Sequence, residues 1–278
     1  MIKYSRKQNY CFRIGETMDR LSQKRLFLLD MDGTVYLGDQ IIPGADGFIR
    51  RLRQTGRDYI FMTNNSSRAA SDYLEKLHRL GIPAEKENVF TSGQAAAFYL
   101  NDMKKSPRIY LVGTEALKRE LESMGIEVSG DGKGQIDFLL VGYDTELNYE
   151  KLRVACRLLC EDVPFYATNP DWRCPAENGR YLPDCACICY SLTQATEKTP
   201  FYIGKPRAEM ALEAVKSRGF TPADAAVIGD RLYTDVKCGL NAGIFSVLVL
   251  SGESTREDIQ RYGITPDLVL DSVARIEL

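Results

Sequence analysis

The stretch FLLDMDGTVYLGD (27–39) sets two aspartates, Asp30 and Asp32, directly after an apolar run. Side chains two apart in a strand share a face, so the pair emerges together at the strand's carboxyl end. Open α/β sheets take their ligands at that edge. Gly33 follows where the chain turns in a conformation that other side chains resist. Read alone, the segment also fits an ordinary aspartate turn capping a strand. Three later fragments weigh against that reading: IFMTNN (60–65), YIGKP (202–206) and VIGDRLYTD (227–235) each close a strand-like run. Together they set a hydroxyl and two amides (Thr63, Asn64, Asn65), one lysine (Lys205) and two acids (Asp230, Asp235) at successive strand ends. A few hard oxygen ligands suit a Mg²⁺ phosphoryl-transfer site, where waters and a substrate phosphate complete the octahedron.

Composition narrows the chemistry further. The chain has 278 residues, 36 basic against 38 acidic side chains, and one histidine, His78. A His-rich zinc site or any two-histidine mechanism is therefore excluded, and a Ser-His-Asp or Cys-His system has only His78 to use. His78 lies in a helical pattern four residues after Leu74, with no partner motif, so a half-buried packing role is expected. Near-neutral charge gives no electrostatic footprint for nucleic acid or an anionic membrane. The polar N-terminus carries no signal-like apolar run and no window approaches a membrane span, which points to a cytoplasmic chain with reduced thiols. Cys174, Cys185, Cys187 and Cys189 form the one suggestive cysteine cluster. Its C-x-C-x-C spacing is wrong for a zinc knuckle, and small packed residues are the simpler expectation.

These residues need elements to hold them. Residues 1–24 form a polar leader without sustained periodicity. From Arg25, short apolar runs alternate with amphipathic stretches, the pattern of an α/β fold with a parallel sheet. Strands are expected at 25–31, 58–64, 108–113, 137–144, 164–168, 201–206, 225–230 and 245–252. Helices are expected at 44–56, 66–81, 93–102, 114–125, 149–162, 185–197, 208–219 and 234–243. Residues 169–184 read as a long irregular loop, a length more often functional than incidental.

In these motifs the chain resembles the haloacid dehalogenase superfamily of phosphohydrolases, whose four ordered motifs match DMDGT, TNN, GKP and GDRLYTD. Within it, TNNSS, VFTSG, YATNPD and IGKP are similar to the NagD-like, 4-nitrophenyl phosphatase branch. The resemblance implies a Rossmann-like, doubly wound parallel-sheet core with an α/β cap inserted between the second and third motifs. The short gap between Asp30 and Thr63 leaves no room for a helical cap there, whereas the long gap between Thr63 and Lys205 does. The expected division is a core at 25–106 and 197–278 with a substrate-selecting cap at 107–196.

The resemblance also implies roles. Asp30 is the nucleophile that forms an aspartyl-phosphate, already ionised at neutral pH. Asp32 protonates the leaving oxygen and then deprotonates the hydrolytic water. An unshifted aspartate is protonated only about one part in a thousand at pH 7, so Asp32 needs a raised pKa. Mg²⁺ is held by Asp30, the backbone carbonyl of Asp32 and Asp230, with Asp235 behind it. Thr63, Asn64, Asn65 and Lys205 bind the phosphate. Trp172 and Arg173, in the long loop, are candidates for the substrate's other end, although a tryptophan packed in the cap's own core explains Trp172 equally well. A phosphatase of small phosphomonoesters is the leading expectation, acting on a small phosphorylated metabolite, with a homodimer left open and without nucleic acid or membrane partners. A catalytically silent binding protein on the same fold and a phosphomutase are the alternatives.

Overall fold

The computed structural model describes residues 15–176 and 180–278. The first fourteen residues of the expected leader, Cys11 among them, lie outside that range. The rest of the leader departs from the expected irregular chain: 15–22 is helical and fully buries Leu21.

The strands are β1 (Leu26–Leu29), β2 (Tyr36–Leu37), β3 (Gln40–Ile41), β4 (Asp58–Thr63), β5 (Val89–Thr91), β6 (Arg108–Val112), β7 (Glu127–Ser129), β8 (Phe138–Val141), β9 (Phe165–Ala167), β10 (Arg173–Ala176), β11 (Arg180–Pro183), β12 (Phe201–Tyr202), β13 (Ala225–Gly229), β14 (Phe245–Val249) and β15 (Leu268–Leu270). The helices used below are α1 (Ala45–Gln54), α2 (Ala70–Arg79), α3 (Ser92–Met103), α4 (Glu115–Ser123), α5 (Tyr149–Cys160) and α6 (Cys185–Thr196).

The chain divides into two compact units. The first collects the chain up to Phe61, Leu77–Ala84 and Ala214–Leu278. Its strands pair in parallel in the order β15-β14-β13-β1-β4. Every residue of β1, β13 and β14 is buried. Central parallel strands are covered on both faces, which explains why they read as unbroken apolar runs rather than alternating ones. Helix α1 turns Ala45, Phe48, Ile49 and Leu52 inward, the spacing of one helical face. Phe48 meets Phe27 of β1 edge-on at 6.0 Å.

The second unit comprises Met62–Lys76 and Glu85–Glu213. Its five-stranded sheet runs β12-β9-β8-β6-β7, all parallel. This unit extends beyond 107–196 at both ends. At the C-terminal side the cause is β12, which adds to β9, and Ile203 and Gly204 continue the ladder through N–H bonds to Ala167 O and Thr168 O. The core here joins β6, β8 and β9 to Val154, Ala155, Leu158 and Leu159 of α5. Cys185, Ile188, Cys189 and Leu192 of α6 complete it. Cys185 and Cys189 are thus packing residues, one helical turn apart with their sulfurs at 3.9 Å. None of the seven described cysteines forms a disulfide.

The expected loop 169–184 is instead largely an antiparallel hairpin, β10 with β11, in register Arg173↔Pro183 through Ala176↔Arg180. Prolines at 175 and 183 hid it, because a strand proline cannot donate to a ladder and survives only where that donor is not needed. Among the described residues no helix is long and apolar enough to cross a membrane.

Candidate active site

In the first unit, β1 and β13 pair from Leu26↔Ala225 to Leu29↔Ile228, and Asp30 continues the ladder by donating its N–H to Ile228 O at 2.9 Å. Asp30 and Asp230 therefore leave neighbouring strand ends. Asp235 joins them from the turn after β13: Asp30, Asp230 and Asp235 each offer an oxygen, and these lie within 4.8 Å of one another. No other such group of His, Cys, Asp or Glu occurs among the described residues. Asp30 is half-buried, while Asp230 and Asp235 are buried.

Three carboxylates this close repel one another. Burial first, and then the charges of Asp30 and Asp235, push the Asp230 carboxyl well above its usual range. Its two oxygens differ. Oδ2 accepts the Glu253 N–H at 2.6 Å, while Oδ1 is buried without a hydrogen-bond partner among the described residues. A buried carboxylate oxygen so placed, beside two more carboxylates, fits a small hard divalent cation. The turn around it leaves no space for side chains. A Cβ at Gly33, whose φ is +89°, or at Gly252 would overlap the Asp230 carboxylate.

Asp32 is exposed, and its carboxylate stands outside the three-carboxylate group. Asp235, expected behind the cation, belongs to the group itself and also accepts the Arg231 N–H on Oδ2 at 3.1 Å. Arg231 was not singled out in the sequence. Burial disfavours its charge, but Asp230, Asp30 and Glu253 outweigh that and hold it charged. Ser251 and Ser254 also lacked any sequence signal: Ser251 Oγ donates to Gly33 O at 2.7 Å, and Ser254 Oγ accepts the Leu232 N–H at 3.1 Å.

In the second unit, the TNN and GKP segments are joined by one side chain. Asn64 Oδ1 accepts the Lys205 N–H at 2.9 Å, and its Nδ2 donates to Lys205 O at 2.8 Å. The same Nδ2 donates to Asp171 Oδ2 at 3.0 Å. Gly204 is required here, since a Cβ would stand 2.5 Å from Thr168 O and 2.7 Å from Asn64 Oδ1. The Asn64 carbonyl accepts from Ser92 Oγ at 2.6 Å and from Asn169 Nδ2. Lys205 is 2% exposed, precedes a cis proline, and donates from Nζ to Met62 O at 3.3 Å. Thr63 Oγ1 accepts the Asn65 N–H at 3.1 Å, and buried Tyr73 donates to Asn65 O at 3.1 Å. The segments VFTSG and YATNPD thus supply Ser92, Asn169 and Asp171, which their sequences flagged without assigning a task.

Trp172 is 57% exposed, its ring 5.7 Å from that of Tyr190, so packing in an apolar core does not explain it. Arg173 lies over the Tyr181 ring at 4.3 Å. His78 is exposed rather than half-buried, and its Nε2 donates to Ala84 O at 2.7 Å across the end of α2.

Comparison with known proteins gives a consistent picture. A family model for haloacid dehalogenase-like hydrolases matches residues 27–127, and a related HAD-hydrolase-like model matches 202–276. The chain is 34% identical over 247 residues to the 5'-nucleotidase YutF of Bacillus subtilis, covering 89% of this chain and 95% of the relative. It is 32% identical over 246 residues to an acid sugar phosphatase of Staphylococcus aureus, covering 88% and 94%. Its fold is similar to the crystal structure of a 4-nitrophenylphosphatase from Thermotoga maritima, with a TM-score of 0.87, 38% identity, and coverage of 93% and 97%.

Proposed function

This chain belongs to the haloacid dehalogenase-like hydrolases, as a phosphoric monoester hydrolase of the 4-nitrophenyl phosphatase branch, and we propose that it hydrolyses small phosphomonoesters by a Mg²⁺-dependent route through an aspartyl-phosphate on Asp30. The observation that carries the cation is the group Asp30, Asp230 and Asp235, with its unbonded, buried Asp230 Oδ1.

Asp30, Asp230 and the Asp32 backbone carbonyl would hold Mg²⁺, whose charge offsets the repulsion between a carboxylate nucleophile and a phosphate dianion. The chain's own residues do the rest. Asp30 attacks phosphorus in line as the P–O bond to the leaving group breaks. Asp32 gives its proton to the departing oxygen. Asp32, now a carboxylate, then takes a proton from water as that water attacks the phospho-aspartate, which releases phosphate and restores Asp30. The exposure of Asp32 supports this division of labour, since a proton donor must reach the leaving group and solvent. Lys205, Thr63, Asn64 and Asn65 bind the transferring phosphoryl oxygens, and Asp235 orients the cation's surroundings.

The segment 107–196 acts as the substrate-selecting cap. The exposure of Trp172 and Arg173 supports a role for them at the substrate's non-phosphate end, with sugar phosphates and nucleoside monophosphates the two classes that the relatives' names support.

The test is hydrolysis of 4-nitrophenyl phosphate with Mg²⁺ by the native chain and by Asp30→Asn. Native turnover is expected to fall at least about a thousandfold in the variant. Absence of Asp30-dependent turnover with any divalent metal would sink the proposal. A panel of phosphorylated sugars and nucleotides ranked by kcat/KM then separates the two substrate classes.

A further inference from the structure

We infer that Glu253 is a positioning residue for the cation site: its carboxylate holds the Arg231 guanidinium aside, which leaves Asp30, Asp230 and Asp235 available to a divalent ion. The inference rests on the reading of that carboxylate group as a Mg²⁺ site.

Arg231 is the next residue after Asp230, and its backbone is tied to Asp235. Its side chain is 19% exposed, so its charge needs an anion within reach. Glu253 supplies it, with Arg231 Nε 2.9 Å from Glu253 Oε2. The contact is between charges rather than a well-aligned hydrogen bond, because among the described residues Nε has no partner of hydrogen-bond geometry. Tyr233 donates its hydroxyl to the other oxygen, Oε1, at 2.6 Å. With both carboxylate oxygens engaged, the Glu253 side chain has one direction.

The backbone of the same residue is locked to the proposed ligand. Glu253 N–H donates to Asp230 Oδ2 at 2.6 Å, and Ser254 N–H donates to Asp230 O at 3.1 Å. Glu253 therefore fixes one Asp230 oxygen through its main chain and balances the adjacent cation through its side chain.

A guanidinium is the natural competitor of a metal at a carboxylate, since its planar fork pairs with carboxylate oxygens and it cannot lose its proton. Without Glu253, the Arg231 charge would be left with Asp230 and Asp30, whose charges already act on it. It would turn toward them and occupy oxygens that the divalent ion needs.

The experiment is calorimetric titration of the full-length chain with Mg²⁺, and separately Mn²⁺, in the absence of substrate, with melting curves to confirm folding. Glu253→Ala should weaken divalent-ion affinity about tenfold or more, the range set by residues that support metal ligands. Adding Arg231→Gln to that variant should restore affinity to within about threefold of native, because the competitor is gone. If Glu253→Ala does not fold, Glu253→Gln, which keeps the volume and an acceptor for Tyr233 but drops the charge, carries the same expectation. A folded Glu253 variant with native affinity would overturn the inference, as would a loss that Arg231→Gln fails to repair. A native chain that binds neither ion would overturn the cation reading itself and this inference with it.

Discussion

At the scale of single residues, the most informative group is Asp230. Its carboxyl is raised by burial and by the neighbouring charges of Asp30 and Asp235, so a proton competes with any cation for it. A carboxyl raised in the folded state binds protons more tightly there than in the unfolded chain. Its contribution to stability is therefore present at low pH and lost as pH rises through the folded value. A bound cation reverses that trend, since it takes the ionised form. The metal-free chain should lose stability as pH rises through the Asp230 transition, while the increase in melting temperature produced by Mg²⁺ should grow over the same interval. Melting curves with and without Mg²⁺ across a pH series check this, and a Mg²⁺ effect that is flat or shrinks with pH would contradict it. Asp30, Asp230 and Asp235 were each legible as acids that close or follow a strand-like run, which is a local property of the sequence. The Glu253 role was not, because its meaning depends on Arg231 and Tyr233 arriving from twenty or so residues earlier.

At the scale of elements, the start of α3 shows how a helix cap can also organise a buried acid. Thr91 accepts the Gln94 N–H at 3.0 Å, and the Gln94 side chain returns a bond to the Thr91 N–H at 3.1 Å. The Thr91 hydroxyl then donates to Glu120 Oε2 of α4 at 2.7 Å, while Glu120 Oε1 accepts the Ala70 N–H that opens α2 at 2.7 Å. One carboxylate thus meets three helix starts or faces, and burial raises its pKa despite those two bonds. Thr91→Val keeps the shape but removes the hydroxyl. It should cost about 1 kcal/mol for the cap and about 1–3 kcal/mol for the Glu120 oxygen left unbonded. The loss should be smaller at low pH, where a protonated Glu120 no longer needs the missing donor. Urea unfolding of Thr91→Val and Thr91→Ser at low and high pH tests this; an equal loss in both variants would reject the hydroxyl's part. The sequence named VFTSG but not this use of it, because Glu120 lies on a helix face where a charged residue ordinarily meets solvent.

At the scale of the whole molecule, the alternation of strands and helices was legible, while the sheet that β12 joins was not. Nothing in the two residues of β12 says which sheet they join; that choice is made by the free edge of β9. Each unit has its own sheet, and the three-carboxylate group belongs wholly to the first. Binding of a ligand to one unit stabilises that unit by about 2.7 kcal/mol at a hundred times the dissociation constant. Hydrogen exchange with and without saturating Mg²⁺ should therefore show added protection in β1, β13 and β14 and little in β6, β8 and β9. Equal added protection in both sheets would mean that the units open as one. The pairing of β1 with β13 has a further consequence for how the chain is made. Asp30 leaves the ribosome early and Asp230 late, and only closure of a loop holding the entire second sheet brings them together. Contacts of such long sequence separation form slowly. A nascent chain can fold its second sheet before Asp30 and Asp230 meet, so a cation at the proposed site is taken up only after Asp230 has been made and β13 has joined β1.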